Sequence, residues 1–279
     1  MRAILAGGGA GVNILTSQGV PPSIHGVGIT TLERSRPIPA TGIQIYRTGE
    51  REVRSWHVTH SSLVKQFVQF LPSPLRDSVT SEFMIYISAL GGETGTAVAD
   101  SLVMMRGSMG LKTVCVFVLP FSAESVRRER AQNDLYRYVA KFPCIVFDND
   151  MLVRLLPDKG IGQAMGVVNS LILESALFLS SASLETWKGF PAGSFVPVMG
   201  SKGHIEKPFL AEEYLKGTER AMRLFVPKGF GHRDALLKSI EDARYSVTDV
   251  YETEREDELW FGLLPKPLKT EHAKHTMQS

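Results

Sequence analysis

The 279-residue chain is short of several things, and each shortage closes a route. It has two cysteines, Cys115 and Cys144, which excludes a disulfide-stapled scaffold and a cysteine-rich metal site. Each lies inside an apolar, strand-like run, "TVCVFVLP" and "FPCIVF", which predicts buried, reduced thiols. Net charge is scarce as well. A formal +2 supplies no basic face for nucleic acid, and the locally basic "VRRERAQ" reads as a solvated helix face. No apolar run is long. "MRAILAGGG" reaches glycine too soon for a signal peptide, and Val167 to Leu179 is broken by Asn169 and Glu174, short of the roughly 20 residues that span a bilayer. The seven histidines are scattered, with His272 and His275 in a polar tail, and outline no metal site. The expectation is a cytoplasmic protein of ordinary globular composition, 43% hydrophobic and 22% charged.

What the chain does have is alternation. Apolar runs "RAILA", "HGVGITTL", "FMIYISAL", "TVCVFVLPF" and "CIVFD" alternate with helix-patterned segments at Val12 to Gln18, Ser61 to Phe70, Ala97 to Met109 and Glu124 to Lys141. This order predicts an α/β fold with a doubly wound, mostly parallel sheet. Pro21-Pro22 and the Pro37 to Pro39 stretch mark loops. Ile161 to about Ser183 reads as one long helix, apolar on most of its circumference and therefore a core element packed on both sides. "GFPAGSFVPVMGSKG" reads as a connection, followed by helix-like "LAEEYLKG", strand-like "AMRLFVP", helix-like "GHRDALLKSIEDARY" and strand-like "DELWFGLLP". The expected division is a first domain at 1–160, the core helix at 161–185, a small α+β unit at 186–265 and a disordered polar tail at 266–279. No internal repeat is present.

Two strand-to-helix junctions are rich in glycine. "AGGGAGVNIL" follows the first strand and "ALGGETGTAVAD" follows the third. Glycine there lets backbone N–H groups approach a phosphate, and a helix N-terminus adds favourable partial charge. A dinucleotide-binding turn wants G-x-G-x-x-G and an acid about 20 residues later. Gly7 and Gly9 fit, Val12 stands at the third glycine, and Glu33 would be the acid. That reading, an NAD(P)-dependent oxidoreductase, leaves "LGGETGTA" without a role. In an open α/β sheet, ligands sit at the carboxyl ends of the strands, so two such turns can share one ligand.

With both turns in view the chain resembles the tubulin/FtsZ superfamily of GTP-binding, filament-forming proteins. "GGGAGVN" resembles the first glycine loop of FtsZ, and "GGETGTA" resembles its signature "GGGTGTG". "LPFSAESVRR" is similar to "PFxFEGRRR", "FDNDML" to "PNDKLL", and "VVNSLI" falls in the long helix where the family places a guanine contact. The matches run in the family's order from Ala3 to about Leu179, with a fainter one in "DELWFGLLP". The resemblance implies that Gly8, Gly9, Ala10 and Gly11 wrap the α- and β-phosphates. Gly91, Gly92, Glu93, Thr94, Gly95 and Thr96 would cradle the β/γ end, with hydroxyl donors from Thr94 and Thr96. Pro120 belongs to the third matched motif. Glu124 would accept from the ribose, and Arg128 would lie over the nucleotide as a cationic partner. Asn13, Asn149 and Asn169 would contact the guanine and its sugar, since an amide both donates and accepts.

Glu93 puts a carboxylate where the γ-phosphate would lie, which costs several kcal/mol unless the charge is solvated or offset. It is expected to face solvent, to help hold Mg²⁺ directly or through water, or to weaken the preference for a triphosphate. The family's acidic loop "NLDFADV" is replaced by "SASLETWKGFPAG", where Glu185 is the acid that would activate water. "ITTLERS" stands for the family's "NTDA", "SWHVTHSSLVKQ" for its third glycine loop, and the second domain is short. The resemblance implies GTP or GDP with Mg²⁺, head-to-tail self-association into filaments and slow hydrolysis, with room for protein or membrane adaptors. The alternative is a nucleotide-binding scaffold that neither polymerises nor hydrolyses.

Overall fold

One sheet runs through the whole chain. The computed structural model describes residues 1–31, 42–48, 50–55, 68–150, 156, 158–205 and 215–268. Its strands are β1 (Arg2–Gly7), β2 (Ile24–Thr30), β3 (Ile43–Arg47), β4 (Phe83–Ala89), β5 (Lys112–Leu119), β6 (Pro143–Asp148), β7 (Gly193–Ser201), β8 (His204–Ile205), β9 (Ala221–Pro227), β10 (Ser246–Thr253) and β11 (Leu259–Pro265). They lie in the order β10-β9-β11-β7-β6-β5-β4-β1-β2-β3, with β8 paired to β7. From β3 to β6 every pairing is parallel. The sheet does not break at residues 161–185: β6 pairs in parallel with β7, from Pro143 with Gly193 to Ile145 with Phe195. Beyond it the sheet is mixed, with β11 antiparallel to both β7 and β9.

Strands β4 and β5 read as unbroken apolar runs because helices cover both faces of a parallel sheet. On one face lie α1 (Gly8–Leu15) and α7 (Ile161–Ser180). The other carries α2 (Glu50–Ser55), α3 (Ser73–Thr80), α4 (Glu93–Val98), α5 (Met104–Ser108) and α6 (Ser125–Val139). The short α8 (Leu184–Gly189) and α9 (Arg233–Asp242) complete the described helices. Between α4 and α5 the chain makes a π-helical turn, Ala99–Val103. Just before it, Tyr86 Oη donates to the Gly95 carbonyl at 2.6 Å and Tyr138 Oη approaches the Thr96 carbonyl at 3.5 Å. Extra donors on successive carbonyls loosen the i→i−4 ladder, and a widened turn follows.

Helix α7 ends at Ser180 and buries one stripe, including Ala164, Val168, Ile172, Ala176 and Leu179. It is not enclosed on both sides as its composition suggested: Ile161 and Val167 are 65% and 43% exposed. By length and hydropathy it also qualifies as a possible membrane span. Here its buried stripe packs on the sheet and against α1.

The segment expected as a glycine- and proline-rich connection is strand β7, with Pro197 two residues past the end of the β6 pairing. Proline lacks a donor, so it sits where that ladder has stopped. The helix expected at Ser61 to Phe70 lies mostly outside the described residues. So do Pro37 to Pro39, Glu33, most of "LAEEYLKG" and the tail beyond residue 268. Cys115 and Cys144 are register partners on β5 and β6, free and buried, and burial pushes the Cys144 thiol up.

Arg106 is a fully buried cation. Its guanidinium donates to the carbonyls of Ser78, Val79, Ser81 and Lys112 and to the Thr113 hydroxyl, at 2.6–3.1 Å. Those acceptors include the last carbonyls of α3, where positive charge is favourable. Burial lowers its pKa to about 9, which leaves it charged at neutral pH.

Candidate functional site

The two glycine turns leave neighbouring strands at the same height. Gly7, the last residue of β1, is the register partner of Ser88 on β4. Gly8 (φ +76°) starts α1, and Gly91 (φ +72°) lies in the turn that leads into α4, so both chains reverse in left-handed conformations that glycine adopts freely. A Cβ on Gly8 would stand 3.1 Å from the Gly95 nitrogen, and one on Gly11 would stand 2.6 Å from the Ile87 carbonyl oxygen. The turns therefore touch. Neither helix start is capped by a side chain, since Gly7 and Gly92 occupy the cap positions. First-turn N–H groups without side-chain caps beside glycine backbone are the elements of an anion cradle.

The threonines of the second turn part company. Thr94 Oγ1 lies 3.3 Å from Thr31 Oγ1, just past the end of β2. Thr96 was expected to offer its hydroxyl to the phosphate end, but its Oγ1 donates to Asp134 Oδ2 on α6 at 2.9 Å. Asp134 also holds Arg137 at 2.8 Å, and Arg137 lies 3.3 Å from Asp100, which in turn accepts from Tyr138 Oη. The Thr96 side chain thus belongs to a network that pins α4 to α6. Glu93 is exposed, and it occupies the first position of α4, where a carboxylate is favoured by the helix dipole. It shares a cleft of about 290 Å³ with Arg54 of α2 and with Arg130 and Asp134 of α6.

The remaining expected residues are distributed around the same end of the sheet. Pro120, buried, and Glu124 lie in the link from β5 to α6. Glu124 accepts from the Phe121 backbone N–H at 3.3 Å and from Arg127 at 2.8 Å, so its carboxylate caps its own turn. Arg128 was expected over the nucleotide. Instead it grips Asp148 at the end of β6 with both guanidinium arms, donates to the Pro120 carbonyl, and lies 3.8 Å from Asp150. A cation paired in this way must be released before it can serve a ligand. Asn149 follows directly; it is 9% exposed and its Oδ1 has no hydrogen-bond partner. Asn13 is exposed on α1 and Asn169 is half-buried on α7, on helices that pack together.

Glu185 lies at the other end of the sheet. Its helix α8 includes Trp187, whose ring stacks 5.5 Å from Phe83, the first residue of β4, while the glycine turn follows the last. Seven residues at about 3.3 Å each separate the two poles by roughly 20 Å. Glu185 is 78% exposed and pairs with Lys188 at 2.6 Å. It cannot act on a ligand held by the glycine turns of its own chain.

Sequence reasoning missed Tyr86 and Ser88 beneath the turns, and Arg54 and Asp134 beside them. A tyrosine and a serine two apart in an otherwise apolar strand were the available signal for the first pair.

This arrangement, a parallel sheet with paired glycine turns at one pole and a long helix joining a mixed half, is the fold of the tubulin/FtsZ superfamily. The empty FtsZ dimer from M. jannaschii has a TM-score of 0.66 at 15% identity, covering 96% of this chain and 88% of that one. CetZ2 from Haloferax volcanii, a GTPγS-bound protofilament, has 0.62 at 13% identity, covering 96% and 93%. In sequence, cell division protein FtsZ 1 from Pyrococcus abyssi is 34% identical over 104 residues, 36% of this chain and 28% of that protein's length. No family model matches the chain. The chain thus resembles FtsZ in fold, and in sequence over part of its length; it spans well under half the length of the curated relatives it matches.

Proposed function

We propose that the chain binds a guanine nucleotide in the cradle formed by Gly8 to Gly11 and Gly91 to Gly95. The carrying observation is the contact between the turns, with Gly8 against the backbone nitrogen of Gly95. A second observation supports it: the buried Asn149 Oδ1 lacks a partner, and orphaned buried polar atoms are uncommon. A nucleotide's sugar or base would supply that partner. Mg²⁺, when bound, would offset phosphate charge. No cluster of three metal-ligating acids, histidines or cysteines occurs among the described residues, so such an ion would depend on Glu93, phosphate oxygens and water.

The two-pole layout supports head-to-tail self-association. The cradle stands at one end and Glu185 at the other, so a neighbour's Glu185 pole could meet this chain's cradle. A heterologous contact of that kind builds an open filament when its rotation does not close. Hydrolysis would need a polar group to place water. Glu185, already paired with Lys188, is the residue we assign to it, and the resulting rate is slow.

Titration of the full chain with fluorescent GTP, GDP, ATP and NAD tests the first claim, and sedimentation in each nucleotide tests the second. Guanine nucleotides binding at least tenfold tighter than NAD, with GTP-dependent pelleting, is the expected outcome. Binding without pelleting or phosphate release would leave the scaffold reading in possession. That reading draws on the engaged states of Thr96 and Arg128.

A further inference from the structure

We propose that Tyr86 and Ser88 are positioning residues whose hydroxyls lock the two glycine turns into one cradle for a nucleotide's phosphates. The inference rests on the nucleotide-binding reading above.

Both residues stand on β4, two apart, and so share one face of the strand. Both are wholly buried among Phe, Met, Ile and Ala neighbours in that strand. A hydroxyl in such surroundings is unfavourable unless it is hydrogen-bonded. Tyr86 Oη donates to the Gly95 carbonyl at 2.6 Å, which holds the helix of the second turn from beneath. Ser88 Oγ lies 3.1 Å from the Gly7 carbonyl and 3.2 Å from that of Ala89, so it faces the end of β1 as well as its own turn.

The fit is reciprocal. A Cβ on Gly7 would fall on the Tyr86 hydroxyl, and a Cβ on Gly95 would fall on the Ser88 hydroxyl. Each hydroxyl fills the space that one glycine leaves. Serine reaches the first turn and fills the hollow of the second, while tyrosine reaches the second and fills the hollow of the first. Displacing either hydroxyl therefore moves both turns relative to one another. Burial pushes the Tyr86 phenol far up, so it remains a protonated donor.

A tether with only a structural role would alter stability alone. A positioning role predicts an effect confined to phosphates, because the turns present their backbone to the phosphate chain while Asn13, Asn149 and Asn169 stand on other elements. The experiment compares wild type, Tyr86→Phe and Ser88→Ala as full chains, titrated with GTP, GDP and guanosine alongside thermal unfolding. Wild type must bind GTP more tightly than guanosine; a wild type that binds neither ends the nucleotide reading and this inference with it. Given that binding, Tyr86→Phe should weaken GTP and GDP by about three- to tenfold, the range of one lost buried hydrogen bond, and leave guanosine unchanged. Unchanged GTP affinity, or an equal loss for guanosine, overturns the proposal. Should Tyr86→Phe fail to fold, Gly95→Ala and the double variant Gly95→Ala with Ser88→Ala carry the test. Removing the serine Oγ should restore part of the GTP affinity that Gly95→Ala loses, and no recovery overturns the proposal.

Discussion

The two halves of the sheet use the same strand chemistry to different ends. From β3 to β6 the strands are parallel, and the turns that follow β1 and β4 stand at one pole. From β7 to β10 the directions mix, and a cluster of aromatic rings joins the aliphatic core. Trp187 stacks on Phe83 and Phe225, Phe190 packs on Phe195, and Arg223 lies over Phe190 and Phe195. Parallel pairing aligns strand ends, and with them backbone donors, whereas mixed pairing scatters them. On the proposed reading the first half holds the ligand.

That contrast can be broken by substitution. Trp187→Ala removes a fully buried indole whose Nε1 donates to Leu179, and should lower unfolding free energy by about 3–5 kcal/mol in urea melts. The folded fraction should still bind guanine nucleotide as wild type does. An equal loss of binding would mean the halves are not separable. Arg106→Met leaves several buried carbonyls without their donor, and a loss of about 2–4 kcal/mol is expected by thermal unfolding. Asp148→Asn sharpens the picture at the cradle's rim. It removes the nearer of the two charges beside Arg128, lowers stability by about 1.5–3 kcal/mol and loosens the guanidinium, so GTP affinity should rise in the same preparation. An unchanged affinity there would detach Arg128 from the ligand. Glu185→Gln should change stability by no more than about 0.5 kcal/mol, because the pair it breaks is exposed. Its effect should appear only in phosphate release from nucleotide-loaded assemblies.

Sequence legibility followed the same division. Strands β1, β2, β4, β5 and β6 were visible as apolar runs because helices bury both their faces, and α7 was visible from its period. Strand β7 was hidden by its glycines and Pro197, and β10 by exposed polar residues such as Ser246, Thr248 and Glu252. The edge strand β3 carries the same half-polar pattern. At the site, the glycine turns could be read because two glycine-rich strand-to-helix junctions occur in one sheet. The commitments of Thr96 to Asp134 and of Arg128 to Asp148 could not be read. They link residues 38 and 20 positions apart, and no local pattern encodes them.

The join between β6 and β7 consists of the pairs Pro143–Gly193, Cys144–Ser194 and Ile145–Phe195, against seven pairs between β4 and β5. Torsional compliance in a ribbon concentrates where its cross-links are fewest. The β9–β11 join is as narrow, with three pairs, but β6–β7 is the one between the parallel and mixed halves; pivoting of one half against the other is expected there, and amide exchange at Ser194 should report the movement before any residue of β5 does.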